Sequence, residues 1–308
     1  MRGTGLGTQG RTGISIRGMR DLDREETYLV DRQGLALELR DLVGTGPVPQ
    51  GTYPGPHGVL AYGEGHFAAE LLAFPEWVEE GTLFLLEGGY DLGEAAAMGL
   101  LAESGRARVV RVGFRQGVDV HVPPSPLSPY RYLRFLLLAT GQEEALKEVD
   151  EKLLEERRRL GPEVPLEENP AKFLAYTLLE RLPLFYSPFF RPLEAAAQSL
   201  TARIGKSLSL TPPFSALEFF LTGLEARHEQ GDPLAAVLLG GGEAVALAKE
   251  ILETRVDAVA EVPPPEGSRL AQAVALWYRL AWTAYYLALL YGVDPSDQEV
   301  LERLREVS

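Results

Sequence analysis

A glycine turn between a predicted strand and a predicted helix is the stretch of the chain best suited to chemistry. The segment LFLLEGGYDLGEAAAMGLLAESG, residues 83–105, places this junction where backbone N–H groups and the helix dipole favour a phosphate. The turn carries Glu87 and Asp91, however, where a phosphate site usually has Ser, Thr or Lys. It is therefore either a ligand loop of altered specificity or a tight connection in which Asp91 caps the helix. The candidate ligand-binding residues of this turn are Gly88, Gly89, Tyr90 and Glu94.

Five further polar residues could take part in a site, and each also has a simpler interpretation. His66 lies at a predicted helix start beside glycines, where it either contacts a ligand or caps the helix. Arg203 and Lys206 form a small basic pair, which either holds a phosphate or carboxylate or marks an exposed helix end. His228, in the polar loop EARHEQG, and Arg305, on the last predicted helix, are either ligand contacts or surface residues.

The composition argues against several classes of function. The 308 residues are 45% hydrophobic and carry a formal net charge of −14, so we expect no nucleic-acid partner and no anionic membrane surface. The longest apolar stretch, 271–290, is interrupted by Gln272 and Arg279, which indicates a buried helix. Cysteine is absent and the four histidines are far apart, so we expect neither disulfides nor a metal site. The many prolines resemble thermophilic compositions, and we expect a cytoplasmic protein.

The chain is expected to divide into three parts. Residues 1–18, rich in Gly and Thr, predict a flexible or non-native leader. Residues 19–160 form the first subdomain, which begins with a helix. Residues 161–308 form the second, which begins with a proline-containing segment and ends with helices.

Hydrophobic periodicity predicts strands that alternate with helices in both halves. This alternation favours parallel sheets covered on both faces, and hence an α/β fold with two similar halves. Ligands of such sheets bind beyond the carboxyl ends of the strands, so we expect a site in the crevice between the halves or at a dimer interface. The predicted strands are 59–62, 82–86, 108–113, 118–122, 182–186, 207–210, 234–239 and 256–262; the predicted helices are 19–43, 66–74, 92–104, 129–140, 142–159, 169–181, 191–203, 215–226, 243–253, 267–291 and 297–307.

Four stretches carry a resemblance to one known family. AYYLALLYGVDPSDQEVLERLREV (284–307) combines a tyrosine-containing apolar helix, a Gly-Val-Asp-Pro turn and a short last helix. NPAKFLAYTLLERLPLFY (169–186), FPEWVEEGTLFLL (74–86) and GEGHFAAELL (63–72) occur in the matching order. Together they resemble the bifunctional phosphoglucose/phosphomannose isomerases, which consist of two sugar-isomerase (SIS) subdomains. The resemblance implies two flavodoxin-like, three-layer subdomains, a homodimer, and conversion of aldose and ketose 6-phosphates without a cofactor.

The same resemblance implies that much of the family's site chemistry has changed. The phosphate loop of the family falls on 87–94, which keeps glycines, the aromatic Tyr90 and Glu94 but has no Ser or Thr. The Gly-Gly-Ser turn is replaced by Gly65-His66-Phe67. The carboxylate base falls on Ala202 or Arg203 of SLTARIGKSLSL, and neither can move a proton.

Two more family residues are matched with altered chemistry. The histidine that the family donates across its dimer corresponds to His228, or to Arg227 because one residue of the spacing is missing. The family's C-terminal lysine falls on Arg305, which keeps the charge but cannot donate a proton near neutral pH. Glu225 or Glu229 could replace the missing base if the fold brings one into the cleft.

Two functions therefore remain open. One is an aldose–ketose isomerase for glucose or mannose 6-phosphate, with weak or lost activity. The other is a catalytically silent SIS module that binds a sugar phosphate or another small polar ligand in a regulatory or partner role. The residues of the site favour the second function, and the family resemblance favours the first.

Overall fold

Two parallel β-sheets, each with helices on both faces, form the part of the chain that the computed structural model describes: residues 20–213, 216–224 and 233–307. The predicted α/β fold with two parallel-sheet halves is confirmed. The first sheet has the order β1-β2-β3-β4 and the second the order β5-β6-β7, with every pair parallel. The strands are β1 His57–Gly63, β2 Thr82–Gly88, β3 Arg108–Gly113, β4 Val120–His121, β5 Leu182–Tyr186, β6 Leu234–Leu239 and β7 Ala258–Val262.

The helices connect these strands and cover the two sheets. They are α1 Leu35–Arg40, α2 Gly65–Leu72, α3 Leu92–Glu103, α4 Ser128–Ala139, α5 Glu143–Leu160, α6 Pro170–Leu178, α7 Pro192–Arg203, α8 Leu217–Gly223, α9 Glu243–Glu253, α10 Arg269–Tyr291 and α11 Glu299–Val307. Alternation along β2 sends Phe84 and Leu86 into the core shared with α2, whereas Leu83 and Leu85 pack on the α3 side. Each half is thus a three-layer unit, as predicted.

Helix α10 lies at the centre of the molecule. Every residue from Ala273 to Leu290 is buried, and the helix packs against α5, α6 and α7. Its one buried cation, Arg279, donates to Glu156 of α5 with Nε–Oε2 at 2.9 Å and Nη2–Oε1 at 2.8 Å. The prediction of a buried helix is confirmed, and no helix in the described ranges has the length and apolarity that a membrane crossing needs.

Two predicted elements are wrong. The leading helix over 19–43 is broken into a 3₁₀ turn, Glu25–Val30, and the short α1. Gly34 adopts a left-handed conformation (φ 76°), and the Asp31 carboxylate accepts hydrogen bonds from the N–H groups of Leu35 and Ala36, so a new helix starts there. The strand over 207–210 is reduced to one bridge, between Leu210 and Leu184. The predicted leader lies outside the described residues.

The ends of β1 and β2 touch backbone to backbone. A Cβ atom on Gly88 would lie 2.6 Å from the amide N of Gly65 and 2.9 Å from that of Glu64. A Cβ atom on Gly63 would lie 2.5 Å from Cα of Gly89. Glycine is therefore required by the close packing of the two turns, whatever ligand they meet.

A matched pair of Gly→Ala substitutions tests this contact. Gly88→Ala is expected to lower the free energy of unfolding by about 2 kcal/mol or more, because the new methyl group must displace backbone atoms. Gly99→Ala in α3, where a Cβ meets no atom within 4 Å, is expected to be neutral or to stabilise by up to about 1 kcal/mol. Urea unfolding followed by circular dichroism measures both values. Wild-type stability of the Gly88→Ala variant would contradict the close approach.

Candidate functional site

A cavity of about 450 Å³ lies between the two halves, beyond the carboxyl ends of β1 and β2. The first half contributes both glycine turns and the starts of α2 and α3. The second half contributes one face of α7, together with Trp277 of α10 and Leu301 of α11. The cavity thus occupies the crevice in which the sequence predicts a site.

Most of the predicted ligand-binding residues meet at this cavity. Lys206 does not line it, because its Nζ donates to the carbonyl oxygens of Arg203 (2.7 Å) and Asp297. His228 lies outside the described residues, and for Arg305 only the helical backbone of α11 is described. The roles of these last two stay predictions. The predicted residues that line the cavity are His66, Gly88, Gly89, Tyr90, Glu94 and Arg203.

The position predicted for the general base is occupied by an arginine side chain. Of the two residues that the sequence left open, Arg203 lines the cavity and Ala202 does not. The guanidinium of Arg203 donates to the carboxylate of Glu64, to Oε1 of Gln298 (3.3 Å from both Nε and Nη2) and to the carbonyl of Ser125 (3.4 Å). The side chain is 11% exposed. It is thus held in place by partners from both halves of the chain.

Glu64, which sequence reasoning did not select, supplies the carboxylate that faces this arginine. It precedes α2, lines the cavity and is 13% exposed. Burial raises the pKa of Glu64 above its ordinary range, and the nearby Arg203 opposes part of that rise. The sequence could have identified Glu64 as a site residue, because it is the acidic residue inside the glycine turn GEGH.

Ser199 is a second cavity residue that sequence reasoning missed. It lies one helical turn before Arg203 on α7, and Ala195 lies one turn earlier still. Residues four apart share one helix face, so this spacing could have identified the face that meets the cleft. Ser199 is the one Ser or Thr among the described residues that line the cavity.

The charge of the cavity is unfavourable for a phosphate. Four carboxylates line it, and within the described ranges its one lining Lys or Arg is Arg203, which already faces Glu64. Asp91 caps α3, since its Oδ1 accepts from the N–H of Glu94 at 2.9 Å. Helix α7 begins with Pro192, which has no N–H to offer. A dianion here would meet uncompensated negative charge. The four carboxylates belong to Glu64, Glu70, Asp91 and Glu94.

Glu87, which the sequence places in the same turn as Asp91, does not face the cavity. This residue is fully buried on the α3 side of the sheet, where its Oε1 accepts from Nε of Arg111 at 2.6 Å. That hydrogen bond raises the pKa of Arg111. Two hydrogen bonds hold the backbone of this turn in place. The carbonyl of Glu87 accepts from the Tyr132 hydroxyl (3.1 Å), and the carbonyl of Gly89 accepts from Arg115 (3.2 Å). Glu87 therefore stabilises the turn from the α3 side of the sheet.

The remaining walls of the cavity are largely apolar. The rings of Phe67 and Trp277 lie 5.8 Å apart at 32°, and Tyr90 packs on Phe114 with ring centroids 5.2 Å apart. The described ranges contain no group of three His, Asp or Glu side chains arranged to hold a metal ion. The site is thus an apolar pocket with carboxylates around it and one ion pair inside.

The ion pair can be tested by removing its cation. Arg203→Met is expected to lower the free energy of unfolding at neutral pH by about 3 kcal/mol, because Glu64 would stay buried without a partner. Loss of Arg203 also raises the pKa of Glu64 further, so the loss should shrink as pH falls to about 4.5 and Glu64 takes up a proton. Urea unfolding at both pH values measures this change. The double variant Glu64→Gln/Arg203→Met should regain most of the stability, whereas an equal loss at both pH values would contradict the pairing.

Comparisons with known proteins agree with this architecture. Residues 35–141 match the phosphoglucose isomerase N-terminal domain, and residues 167–307 match the bacterial phospho-glucose isomerase C-terminal SIS domain. A bifunctional phosphoglucose/phosphomannose isomerase of Caldicellulosiruptor bescii is 27% identical over 213 residues, which is 62% of this chain and 62% of the relative's length.

Solved structures give the same assignment. A glucose-6-phosphate isomerase like protein from Thermus thermophilus is 79% identical, with a TM-score of 0.88 over 94% of this chain and 100% of that chain. A glucose-6-phosphate isomerase from Chlamydia trachomatis, 13% identical with a TM-score of 0.53 over 92% of this chain and 72% of that one, shares the fold. The resemblance drawn from the sequence is confirmed: the chain belongs to the phosphoglucose/phosphomannose isomerase family of SIS-domain proteins, as a sugar-phosphate isomerase-like member.

Proposed function

We propose that this chain binds a small, hexose-sized polar ligand of carbohydrate metabolism in its cleft and does not interconvert glucose, mannose and fructose 6-phosphates. The observation that carries the proposal is the Arg203–Glu64 ion pair in the cavity, since the sequence resemblance matches Ala202 or Arg203 with the family's proton-transferring carboxylate. The chain then serves a regulatory or partner role through the ligand that it binds.

Aldose–ketose isomerisation needs a base that takes a proton from one sugar carbon and returns it to the next. A guanidinium remains protonated at any pH at which the protein is folded, so Arg203 cannot do this. The loss of a general base typically lowers a rate by roughly 10²–10⁴. The arginine is also held by Gln298 and Ser125, so its place in the cleft is fixed.

The described residues of the cleft offer few groups that could bind the phosphate of the family's substrates. Glu94 and Asp91 lie at the start of α3, where the helix dipole would otherwise favour an anion. The Asp91 carboxylate already accepts from one of the first backbone donors of that helix, the N–H of Glu94. Sugar hydroxyls, in contrast, are good donors to carboxylates, so a neutral polyol suits this cleft better than a hexose phosphate.

A coupled assay of fructose 6-phosphate conversion to glucose 6-phosphate tests the proposal. The expected turnover lies well below about 1 s⁻¹, the lower end of ordinary enzyme rates. The isomerase of Caldicellulosiruptor bescii serves as the positive control in the same buffer. Turnover of this chain at 1 s⁻¹ or more would overturn the proposal.

Glu64 gives a specific reason to keep isomerase activity as the second candidate. Its raised pKa suits proton transfer near neutral pH, and Arg203 beside it could stabilise the negative oxygen of an enediolate. In this reaction the Glu64 carboxylate takes the C2 proton of an open-chain aldose and returns it to C1, while the hydroxyl proton of O2 moves to O1. Deuterium uptake at C2 in heavy water, measured by NMR, would reveal it, and Glu64→Gln should abolish the uptake. Uptake that persists in Glu64→Gln would exclude this candidate.

We further propose that the chain acts as a cytoplasmic homodimer in a thermophilic cell. The high proline count supports the thermophilic origin, and exposed apolar residues of the second half, Phe173 (67% exposed) and Leu208 (80% exposed), support self-association. Light scattering after gel filtration should give twice the mass of one chain. The mass of a single chain at micromolar concentration would contradict the dimer.

A further inference from the structure

The last helix, α11, forms part of the cavity wall but is otherwise exposed. Among its described side chains, those of residues 299–303, Leu301 lines the cavity, whereas the neighbouring Val300 is 73% exposed. Glu299 and Arg303 are both exposed and form an ion pair with each other (2.9 Å). Within the described ranges, α11 packs only sparsely on the other elements. A short helix with so few buried contacts can leave the surface without unfolding the rest of the molecule.

The connection that leads to α11 is fixed up to Asp297. Ser296 is buried, and its hydroxyl donates to Oδ1 of Asp31 at 2.7 Å. The carbonyl of Asp297 accepts from Nζ of Lys206. Any movement of α11 must therefore begin after Asp297, at Gln298.

Gln298 ties the start of α11 to the arginine of the cleft. Its Oε1 accepts from Nε and Nη2 of Arg203 (3.3 Å each), and its Nε2 donates to the Arg203 carbonyl (3.2 Å). The Nη1 atom of the same guanidinium donates to Glu64 inside the cavity. Arg203 thus holds the cleft carboxylate with one nitrogen and α11 with the other two.

This sharing couples the cleft to α11. A ligand group that accepts from Nε or Nη2 of Arg203 must replace Gln298, and it thereby loosens the helix. Conversely, release of Gln298 leaves both of these N–H groups free for a ligand. By thermodynamic linkage, ligand entry and release of α11 then favour each other.

We infer that α11 is a movable cover of the cleft, with Gln298 as its hinge and Arg203 as the group that holds it closed. In the closed position Leu301 forms part of the cavity wall. In the open position Gln298 leaves Arg203, and this side of the cavity opens to solvent. The cover goes beyond the proposed function, because binding and isomerisation alike require a ligand to enter the cleft.

A single introduced thiol measures access to the cavity, because the chain has no cysteine of its own. Ser199→Cys places this thiol on the α7 wall, and iodoacetamide, which is small and neutral, is the probe. Gln298→Ala in this background removes the tether without changing a residue that lines the cavity. It should speed alkylation by about tenfold, as expected for the loss of hydrogen bonds to a charged group. Glu302→Gln, at an exposed position of the same helix, is the matched control and should leave the rate unchanged.

Hydrogen exchange followed by mass spectrometry gives a second readout on the chain without any cysteine. The amides of α11 should exchange faster than those of the fully buried α10, since α11 opens on its own. Gln298→Ala should raise the exchange of α11 by about tenfold and leave that of α10 unchanged. This measurement decides alone if the Ser199→Cys chain does not fold.

Four results would overturn the inference. The first is alkylation of the Ser199→Cys chain as fast as that of free cysteine, since nothing would then cover the cavity. The second is an alkylation rate or an α11 exchange rate that Gln298→Ala leaves unchanged. The third is an equal acceleration of alkylation by Glu302→Gln. The fourth is a joint acceleration of exchange in α10 and α11, which would indicate opening of the whole fold.

Discussion

The burial of α10 on every side is the constraint on which the rest of the structure depends. A helix with an apolar surface all round must be covered completely, and α5, α6 and α7 cover it. These helices come from the connection between the halves and from the second half, so burying α10 also fixes the two sheets relative to each other. The Arg279–Glu156 pair fits this constraint, since a cation inside such a core needs a well-placed carboxylate. The cleft is a product of the same packing, because Trp277 of α10 and Arg203 of α7 both reach it.

The glycines of the cleft separate the requirements of the fold from those of chemistry. Gly63 and Gly88 allow the ends of β1 and β2 to approach so closely that no side chain fits between them. That requirement holds whether or not a phosphate binds. The residues between and after the glycines, such as Glu64, Asp91 and Glu94, are free of it, and these positions carry the unusual charge. The turn over 88–94 is therefore both a connection with a helix cap and a wall of the cleft, so the two interpretations open at the level of sequence are not exclusive.

The sequence predicted most of the fold because buried parallel strands and amphipathic helices have strong hydrophobic patterns. The helix over 19–43 failed because its apolar spacing continues past Gly34, whereas the Asp31 cap and the left-handed glycine end one element and start another. The direction of Glu87 was available from the alternation of β2, since Leu83, Leu85 and Glu87 share one face. Its partner Arg111 could not be foreseen, because it depends on the register between β2 and β3. The pairing of Glu64 with Arg203 likewise joins residues 139 apart, which no local pattern reports.

The ion pair in the cleft also explains why its two members constrain each other. Arg203 is largely buried, so it needs a nearby anion, and Glu64 is largely buried, so it needs a nearby cation. Changing Arg203 alone to glutamate would place two carboxylates side by side. The pKa of one of them would rise steeply, and that group would carry a proton at neutral pH. A carboxylate at this position would thus share a proton with Glu64 unless residue 64 changes at the same time. The chemistry of the site is therefore set by the pair as a unit, and neither residue can be interpreted without the other.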